Sequence, residues 1–459
     1  MQKVVNNYKA MSFFSGILTI IAVDYVNFLP AWICFVPLFI TLEKNPPKKN
    51  FKAGFIFGLT IALISFFWMM AGADRFTGTA TIYGAVVYII STALLAFYFG
   101  AVNWCFSLLK IKNTSSFSFL LNALLVSAIY VAGETLLMYA SEGLPWFAFH
   151  SGSALMNNIY AIQPASFSGM NALSFIVVFV NYLIAISIVN KQWRKLFIPL
   201  SAIILYMLAG FFIYRDFTKT SASGNTIKPI KIAILNQNIP PEIKWDDNTG
   251  NELVDSLLAL NKQAAALKPD IVLWSESAIP WTYRPDDDLV NEILKTSSPQ
   301  HITNILGINT DYDGNEVYNS VYSLLPDGKV AGRYDKKYLL SFVEAPVAGI
   351  IFPFLSSKGF IVKKGSDNKP LNTPYGNAGI MICNESSVAA SASDMVKNGA
   401  AFLLNLSNDG WFSNTYLVNL HFYNVRMRAV ETRRDIVVNS NEGISGVIRA
   451  SGQIAAEDK

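Results

Sequence analysis

Three side chains in the second half of this 459-residue chain could together carry out covalent chemistry: Glu276, Lys336 and Cys383. Glu276 lies near the end of the run "DIVLWSES" (270–277), Cys383 closes "NAGIMIC" (377–383), and Lys336 sits in "GRYDKKYLLSFVE" (332–344). A thiol becomes a strong nucleophile once a base removes its proton, and a carboxylate can do this where no histidine is at hand. The tetrahedral intermediate that follows needs a cation or N–H groups at its oxyanion, which Lys336 could supply. Cys383 precedes a helix expected to begin near Glu385 or Ser386, whose N-terminus would favour the thiolate. The alternative for Cys383 is a buried core cysteine.

Competing chemistries find little support. His150 belongs to a loop between apolar segments, His301 to a turn, and His421 to a helix where a packing role is expected. No C-x-x-C, H-E-x-x-H or paired-histidine spacing suggests a metal site, no glycine loop suggests a phosphate cradle, and no cofactor is expected. The three cysteines are too few for a disulfide framework; Cys34 and Cys105 lie inside apolar runs and read as small apolar residues.

The elements that must position these groups alternate between short strands and helices. Strands are expected at 230–238, 270–277, 303–309, 317–325, 377–383, 401–407 and 435–440, with helices at 251–268 and 417–434 by the spacing of their apolar residues. Such alternation argues an α/β layer protein, which presents its sites at strand carboxyl ends.

This grammar holds only for the second half. Residues 1–220 carry 14 Lys and Arg against 6 Asp and Glu, whereas residues 221–459 carry 22 against 26. The chain as a whole is 52% hydrophobic and 15% charged, well below the ~25% charge of soluble chains. The first half is built for hydrocarbon and the second for water. Apolar runs near 11–28, 30–42, 53–72, 80–109, 117–139, 168–189 and 196–214 approach the ~20 residues that a crossing needs, the second being short enough to be tilted or broken. Seven spans follow, with residues 216–227 as a linker rich in Ser, Thr and Gly and residues 228–459 as the soluble domain.

Lysine and arginine favour the cytoplasmic side of such spans. They follow the second, fourth and sixth runs, at Lys44, Lys48, Lys49, Lys52, Lys110, Lys112, Lys191, Arg194 and Lys195, whereas residues 140–166 contain none. An inside N-terminus and seven crossings place everything after Arg215 outside the cytoplasm. Glu134 lies within an apolar run, where a charged residue is either functional or reaches the interface from the end of its helix.

Glu276, Lys336 and Cys383, in this order and each at a strand end, resemble the Glu-Lys-Cys triad of the nitrilase superfamily. Joined to a multi-span domain, the chain resembles that superfamily's membrane-anchored branch, the apolipoprotein N-acyltransferase family. "LNQNIPPEIKW" (235–245), "LWSESAIPW" (273–281), "YDKKYLLSFVE" (334–344), "ICNES" (382–386), "LSNDGWF" (406–412), "RMRAVE" (426–431) and "NEGISGVI" (441–448) all match its pattern, as do "LPAWICFVPL" (29–38) and "GETL" and "GLPW" within 133–146. The resemblance implies a multi-span α-helical membrane domain at 1–215 and an extracytoplasmic nitrilase-like αββα sandwich. It implies a periplasmic enzyme of the bacterial inner membrane; nothing in the sequence demands an oligomer, and a monomer is expected.

The implied reaction is ping-pong: Glu276 deprotonates Cys383, which takes an acyl chain from a phospholipid such as phosphatidylethanolamine. Lys336 stabilises the oxyanion, and the thioester is passed to the α-amine of a diacylglyceryl-cysteine at a lipoprotein N-terminus. Glu344 and Glu385 would be supporting acids that orient the amine or Lys336. Trp245 and Trp411 would line the lipid cavity, the alternative being ordinary core packing. A membrane-tethered amidase hydrolysing a C–N bond shares the triad and differs in what meets the thioester.

Two departures from the family pattern stand out. Lys337 takes the place of a histidine beside the catalytic lysine, and Asn384 that of an aromatic residue after the nucleophile. The pattern also implies closing strands and an eighth span beyond Lys459, so a C-terminally shortened domain is expected.

Overall fold

The computed structural model describes residues 7–70, 82–112, 117–223, 229–240, 243, 246, 249–341, 343–346 and 361–458. The chain divides into two compact units, the first extending to Ser221 and the second from Ala222 to Lys459.

Among its described residues the first unit is built of helices, joined by turns and by a longer irregular segment within 141–169. Four described helices, Gly84–Leu109, Ser118–Ala140, Met170–Val189 and Trp193–Thr220, are long and apolar enough to cross a membrane. Tyr8–Val23 is apolar but shorter, and Pro47–Ser65 begins with Lys48, Lys49 and Lys52. The expected run at 30–42 is broken into Phe28–Ala31 and Val36–Lys44. A nine-residue helix rises only ~14 Å, about half of a hydrocarbon core. The break frees backbone groups that lipid cannot satisfy, and Asn181 meets them from a neighbouring helix. Its Oδ1 accepts the Phe35 N–H at 2.9 Å, and its Nδ2 donates to the Ala31 carbonyl at 2.8 Å.

Small residues allow the helices to approach closely. A Cβ on Gly54 would meet the Phe99 carbonyl oxygen at 2.3 Å, and one on Gly58 the Leu95 oxygen at 2.7 Å. Pro47–Ser65 and Ile82–Leu109 thus pack backbone to backbone through glycines four residues apart, a device suited to a solvent without a hydrophobic effect. Glu134 is buried inside this unit, where it accepts the backbone N–H of Ser151 at 2.9 Å and its hydroxyl at 2.5 Å. Its carboxylate holds a loop inside the helical unit.

The last long helix does not stop at Arg215. It runs as Phe197–Ser223, so most of the segment expected as a linker is helical. The Ser and Thr content that suggested a loop is accommodated within the helix. Thr218 donates to the Tyr214 carbonyl at 2.9 Å and Thr220 to that of Asp216 at 3.0 Å, the back-bonding available to these hydroxyls inside a helix.

The second unit is a nitrilase-like αββα sandwich. Its strands are β1 (Ile232–Ile234), β2 (Ile271–Leu273), β3 (Ile279–Thr282), β4 (Thr303–Asp313), β5 (Glu316–Tyr318), β6 (Ser320–Leu324), β7 (Val330–Asp335), β8 (Ile361–Val362), β9 (Ala378–Ile382), β10 (Phe402–Asn408), β11 (Ile436–Asn441), β12 (Ser445–Ile448) and β13 (Ile454–Asp458). One sheet is built on β1-β2-β4, continued antiparallel by β6 and β7, and the other runs β13-β12-β11-β10-β9. Strand alternation sorts the side chains into layers. Ile271, Leu273 and Ile305 of the first sheet share a core with Ile380, Ile382 and Leu404 of the second. Their neighbours Val272, Trp274 and Leu306 face the other way, onto Leu257 and Ala264 of helix Gly250–Ala266 and Ile293 of helix Asp288–Ser297. The second sheet is covered in turn by Met395 of Ala389–Lys397 and by Phe422 and Val425 of Tyr416–Thr432.

Candidate active site

The parallel strands β2 and β9 and the antiparallel β7 all end at one edge of the sandwich, and each delivers a polar side chain there. Glu276 follows β2 by three residues, Lys336 follows β7 directly, and Cys383 follows β9 directly. Cys383 has φ of +50° and Ser277, next to Glu276, has φ of +47°. Left-handed backbone at non-glycine residues is costly and concentrates where a side chain must be aimed. Glu276, Lys336 and Cys383 line one cavity of about 340 Å³ with Gln237, Ile239, Leu340, Glu344, Trp411 and Phe412 among its walls.

The charged groups form a closed network. The Lys336 Nζ donates to Glu276 Oε1 at 3.1 Å and to Glu344 Oε1 at 3.0 Å. Asn319 bridges the same two carboxylates, donating to Glu276 at 2.9 Å and to Glu344 at 3.0 Å. The other oxygen of Glu276 accepts the backbone N–H of Asn408 at 3.0 Å, and that of Glu344 the N–H of Leu340 at 2.7 Å. Burial alone would favour neutral lysine, yet Glu276 and Glu344 together hold the Lys336 ammonium above its ordinary range. Burial would likewise raise Glu344, but Lys336 and the Leu340 N–H hold its carboxyl below the usual carboxylate value.

Cys383 behaves differently from the expectation. The α-helix that follows begins at Ala389, and Cys383–Ser387 form only a short 3₁₀ turn, so no α-helix N-terminus lies at the sulfur. Burial and the Glu276 and Asp409 charges push the thiol well above its ordinary value, against the opposing pull of Lys336. The resting group is therefore a thiol, and its proton must be taken during reaction.

Glu385 is fully buried and ties the turn to the lysine loop. It accepts the N–H of Ile382 at 2.7 Å, Lys337 at 2.8 Å and Tyr338 at 3.1 Å, and the Tyr334 hydroxyl at 2.8 Å. Burial pushes its carboxyl upward, opposed by these N–H groups. Asn384 adds a second tie, donating to the Tyr338 carbonyl at 3.0 Å. The Lys337 ammonium lies over the Tyr338 ring, 5.6 Å from its centre, whereas that of Lys336 points into the carboxylates. Trp411 stands in the cavity wall; Trp245 lies outside the described residues.

Sequence reasoning passed over Asn319. Its signal was present as a polar break in the apolar run "VYNSVYSLL", where the chain leaves β5 and enters β6. The Asn408 backbone N–H carried no side-chain signal at all.

Two family comparisons match successive parts of the chain. Residues 15–183 match the apolipoprotein N-acyltransferase N-terminal domain and residues 231–457 the carbon-nitrogen hydrolase domain. The apolipoprotein N-acyltransferase of Geobacter metallireducens is 26% identical, covering 97% of this chain and 85% of that protein. Those of Chlorobaculum tepidum and Rickettsia typhi are each 26% identical, covering 93% and 97% of this chain and 83% and 88% of their own lengths.

Proposed function

Because this chain belongs to the apolipoprotein N-acyltransferase family of membrane-bound nitrilase-superfamily enzymes, we propose that it transfers an acyl chain from a phospholipid, through a Cys383 thioester, to the α-amine of a diacylglyceryl-cysteine at a lipoprotein N-terminus. The observation that carries this reading is the meeting of Glu276, Lys336 and Cys383 in one cavity. In the first half-reaction Glu276 takes the thiol proton as sulfur attacks the ester carbonyl. An ammonium has three N–H groups; two of those on Lys336 hold Glu276 and Glu344, and the third is available to the oxyanion. Collapse expels the lysophospholipid alkoxide, which takes the proton from Glu276.

In the second half-reaction the lipoprotein amine attacks the thioester and Glu276 receives the amine proton. Carbon–sulfur cleavage returns the thiolate, which is reprotonated from Glu276, and the product is an N-acylated lipoprotein. Glu344 anchors Lys336, Glu385 sets the loop that carries it, and Trp411, with Trp245 by family resemblance, lines the path of the acyl chain. No resident cofactor is needed for these steps.

The same reading places the enzyme as a monomer in the bacterial inner membrane, N-terminus inside and catalytic domain in the periplasm, with phosphatidylethanolamine as donor. The lysine and arginine bias of the first half supports that orientation. Holding the site at the lipid surface avoids full extraction of acyl chains into water, at about 0.8 kcal/mol per CH₂.

Intact-mass measurement after incubating the detergent-purified chain with phosphatidylethanolamine tests the proposal. A hydroxylamine-sensitive gain of one acyl chain, lost in Cys383→Ala, is expected. A folded protein that gains no acyl mass but hydrolyses soluble amides would instead make it a tethered amidase.

A further inference from the structure

A second set of polar groups stands beside Cys383, none of them in the Glu276–Lys336–Glu344 network. Strand β10 lies parallel to β9 with Leu406 opposite Ile382, so the next residue, Ser407, stands level with Cys383, and its hydroxyl acts to lower the thiol against the effect of burial. The Ser407 Oγ donates to Asp409 Oδ1 at 3.0 Å, and the same oxygen meets His421 Nδ1 at 2.8 Å. All three side chains are buried. The His421 Nε2 is also buried and has no hydrogen-bond partner. Asp409 is met by Nδ1, which is therefore the nitrogen that donates to the carboxylate. The site is tightly walled: a Cβ on Gly443 would come within 2.6 Å of Asp409 Oδ2.

We propose that Ser407, Asp409 and His421 form a positioning chain for the nucleophile, in which His421 fixes the Asp409 carboxylate, Asp409 fixes the Ser407 hydroxyl, and Ser407 holds the Cys383 sulfur in line with Glu276. In the resting state Ser407 gives its own proton to Asp409, and the sulfur keeps the thiol proton. When Glu276 takes that proton, the Ser407 hydroxyl is free to turn and donate to the sulfur, and the His421 N–H continues to satisfy Asp409. The Asp409 charge opposes early ionisation, so the sulfur stays a thiol until an ester is in place. The charged groups acting on it are then Glu276, Lys336 and Asp409.

This inference rests on Cys383 being the acylated residue, and its test reads the sulfur without lipid. The full chain in detergent is alkylated with iodoacetamide across pH, and the Cys383 peptide is quantified by mass spectrometry. Asp409→Asn should label several-fold faster than wild type at pH 8, whereas Ser407→Ala should label several-fold slower, because one change removes an opposing charge and the other a hydrogen bond to the thiolate. His421→Asn, which keeps a donor at the Nδ1 position, should retain the wild-type profile and acyl-thioester rate, whereas His421→Leu should lose most of that rate. Wild-type alkylation profiles in both Asp409→Asn and Ser407→Ala, or profiles shifted in the same direction, would overturn the chain. Loss of acylation in Cys383→Ala without any effect of these variants would leave the acyltransferase reading standing and this inference refuted.

Discussion

Glu385 accepts the backbone N–H of Lys337 at 2.8 Å, although 48 residues separate them. Through the same carboxylate the N–H of Ile382 is held at 2.7 Å, so the residue before Cys383 and the residue after Lys336 hang from one side chain. Nucleophile and cation are thereby registered by a group that need not touch substrate.

Removing that carboxylate should unfold more than the turn. Glu385→Ala leaves the buried Ile382 N–H and Tyr334 hydroxyl and the partly buried N–H groups of Lys337 and Tyr338 without their acceptor, and each buried orphan costs about 1–3 kcal/mol. A destabilisation of about 3 kcal/mol or more is expected, read as a drop of several degrees in the unfolding midpoint of the detergent-purified chain. An unchanged midpoint would show that the two loops are held by other means.

The adjacent lysines should separate cleanly. Lys336→Met removes the buried cation and should lower the rate of thioester formation by about 10²–10³-fold, the scale of a lost oxyanion donor. Lys337→Met removes an ammonium that rests on the Tyr338 ring and should leave that rate within a few-fold. Single-turnover acylation of both variants decides the matter, and equal losses would contradict the assignment.

Burial raises the Cys383 thiol, so less thiolate is present at neutral pH than in an ordinary cysteine. Its iodoacetamide labelling should be slow at pH 7–8 and should still be rising above pH 9.0, the ordinary value. A plateau below pH 9 would mean an activated thiolate at rest.

The Glu344 carboxyl is held below its ordinary value of 4.5. A depressed folded-state value means that Glu344 contributes stability above pH 4.5 and loses it as pH falls through its folded value. The gap in unfolding midpoint between wild type and Glu344→Gln should therefore be constant from pH 5 to 7 and shrink below pH 4.5. A gap that widens toward acid would reverse the sign.

In the membrane unit, Asn181→Leu should be costly despite its gain in hydrophobicity. The change strips the Phe35 N–H of its side-chain acceptor and leaves the Ala31 carbonyl only the weak Cys34 thiol donor, in a setting where each unsatisfied group is expensive. A loss of about 2 kcal/mol or more is expected, measured as a lower unfolding midpoint; a stabilised variant would show that the broken helix satisfies itself.

Much of this protein was legible in the order of its residues. The split between an apolar half and a charged half reports directly on solvent, because hydration of a charge does not depend on fold. Short apolar runs located β1, β2, β4, β6, β9, β10 and β11, and the polar residues that end two of those runs named Glu276 and Cys383, with Lys336 named from its own loop. Less visible were β7, whose Gly332 and Arg333 interrupt its pattern, and the short edge strands β3, β8, β12 and β13, which are set by neighbours rather than by their own composition. The helical course of 216–223 was hidden because Thr218 and Thr220 satisfy their hydroxyls within the helix.

What only tertiary structure could decide is who faces whom. The three reactive side chains are 60 and 47 residues apart along the chain, and their meeting depends on two sheets ending at one edge. The partners of Asn319, Glu385 and Asn181 lie far away in sequence, so the residues themselves could be noticed but not the groups they bind. The state of the Cys383 thiol likewise belongs to the folded chain: sequence suggested a helix N-terminus and a thiolate, whereas burial beside Glu276 and Asp409 keeps the proton on sulfur, since desolvation and through-space charge exist only once the chain has folded.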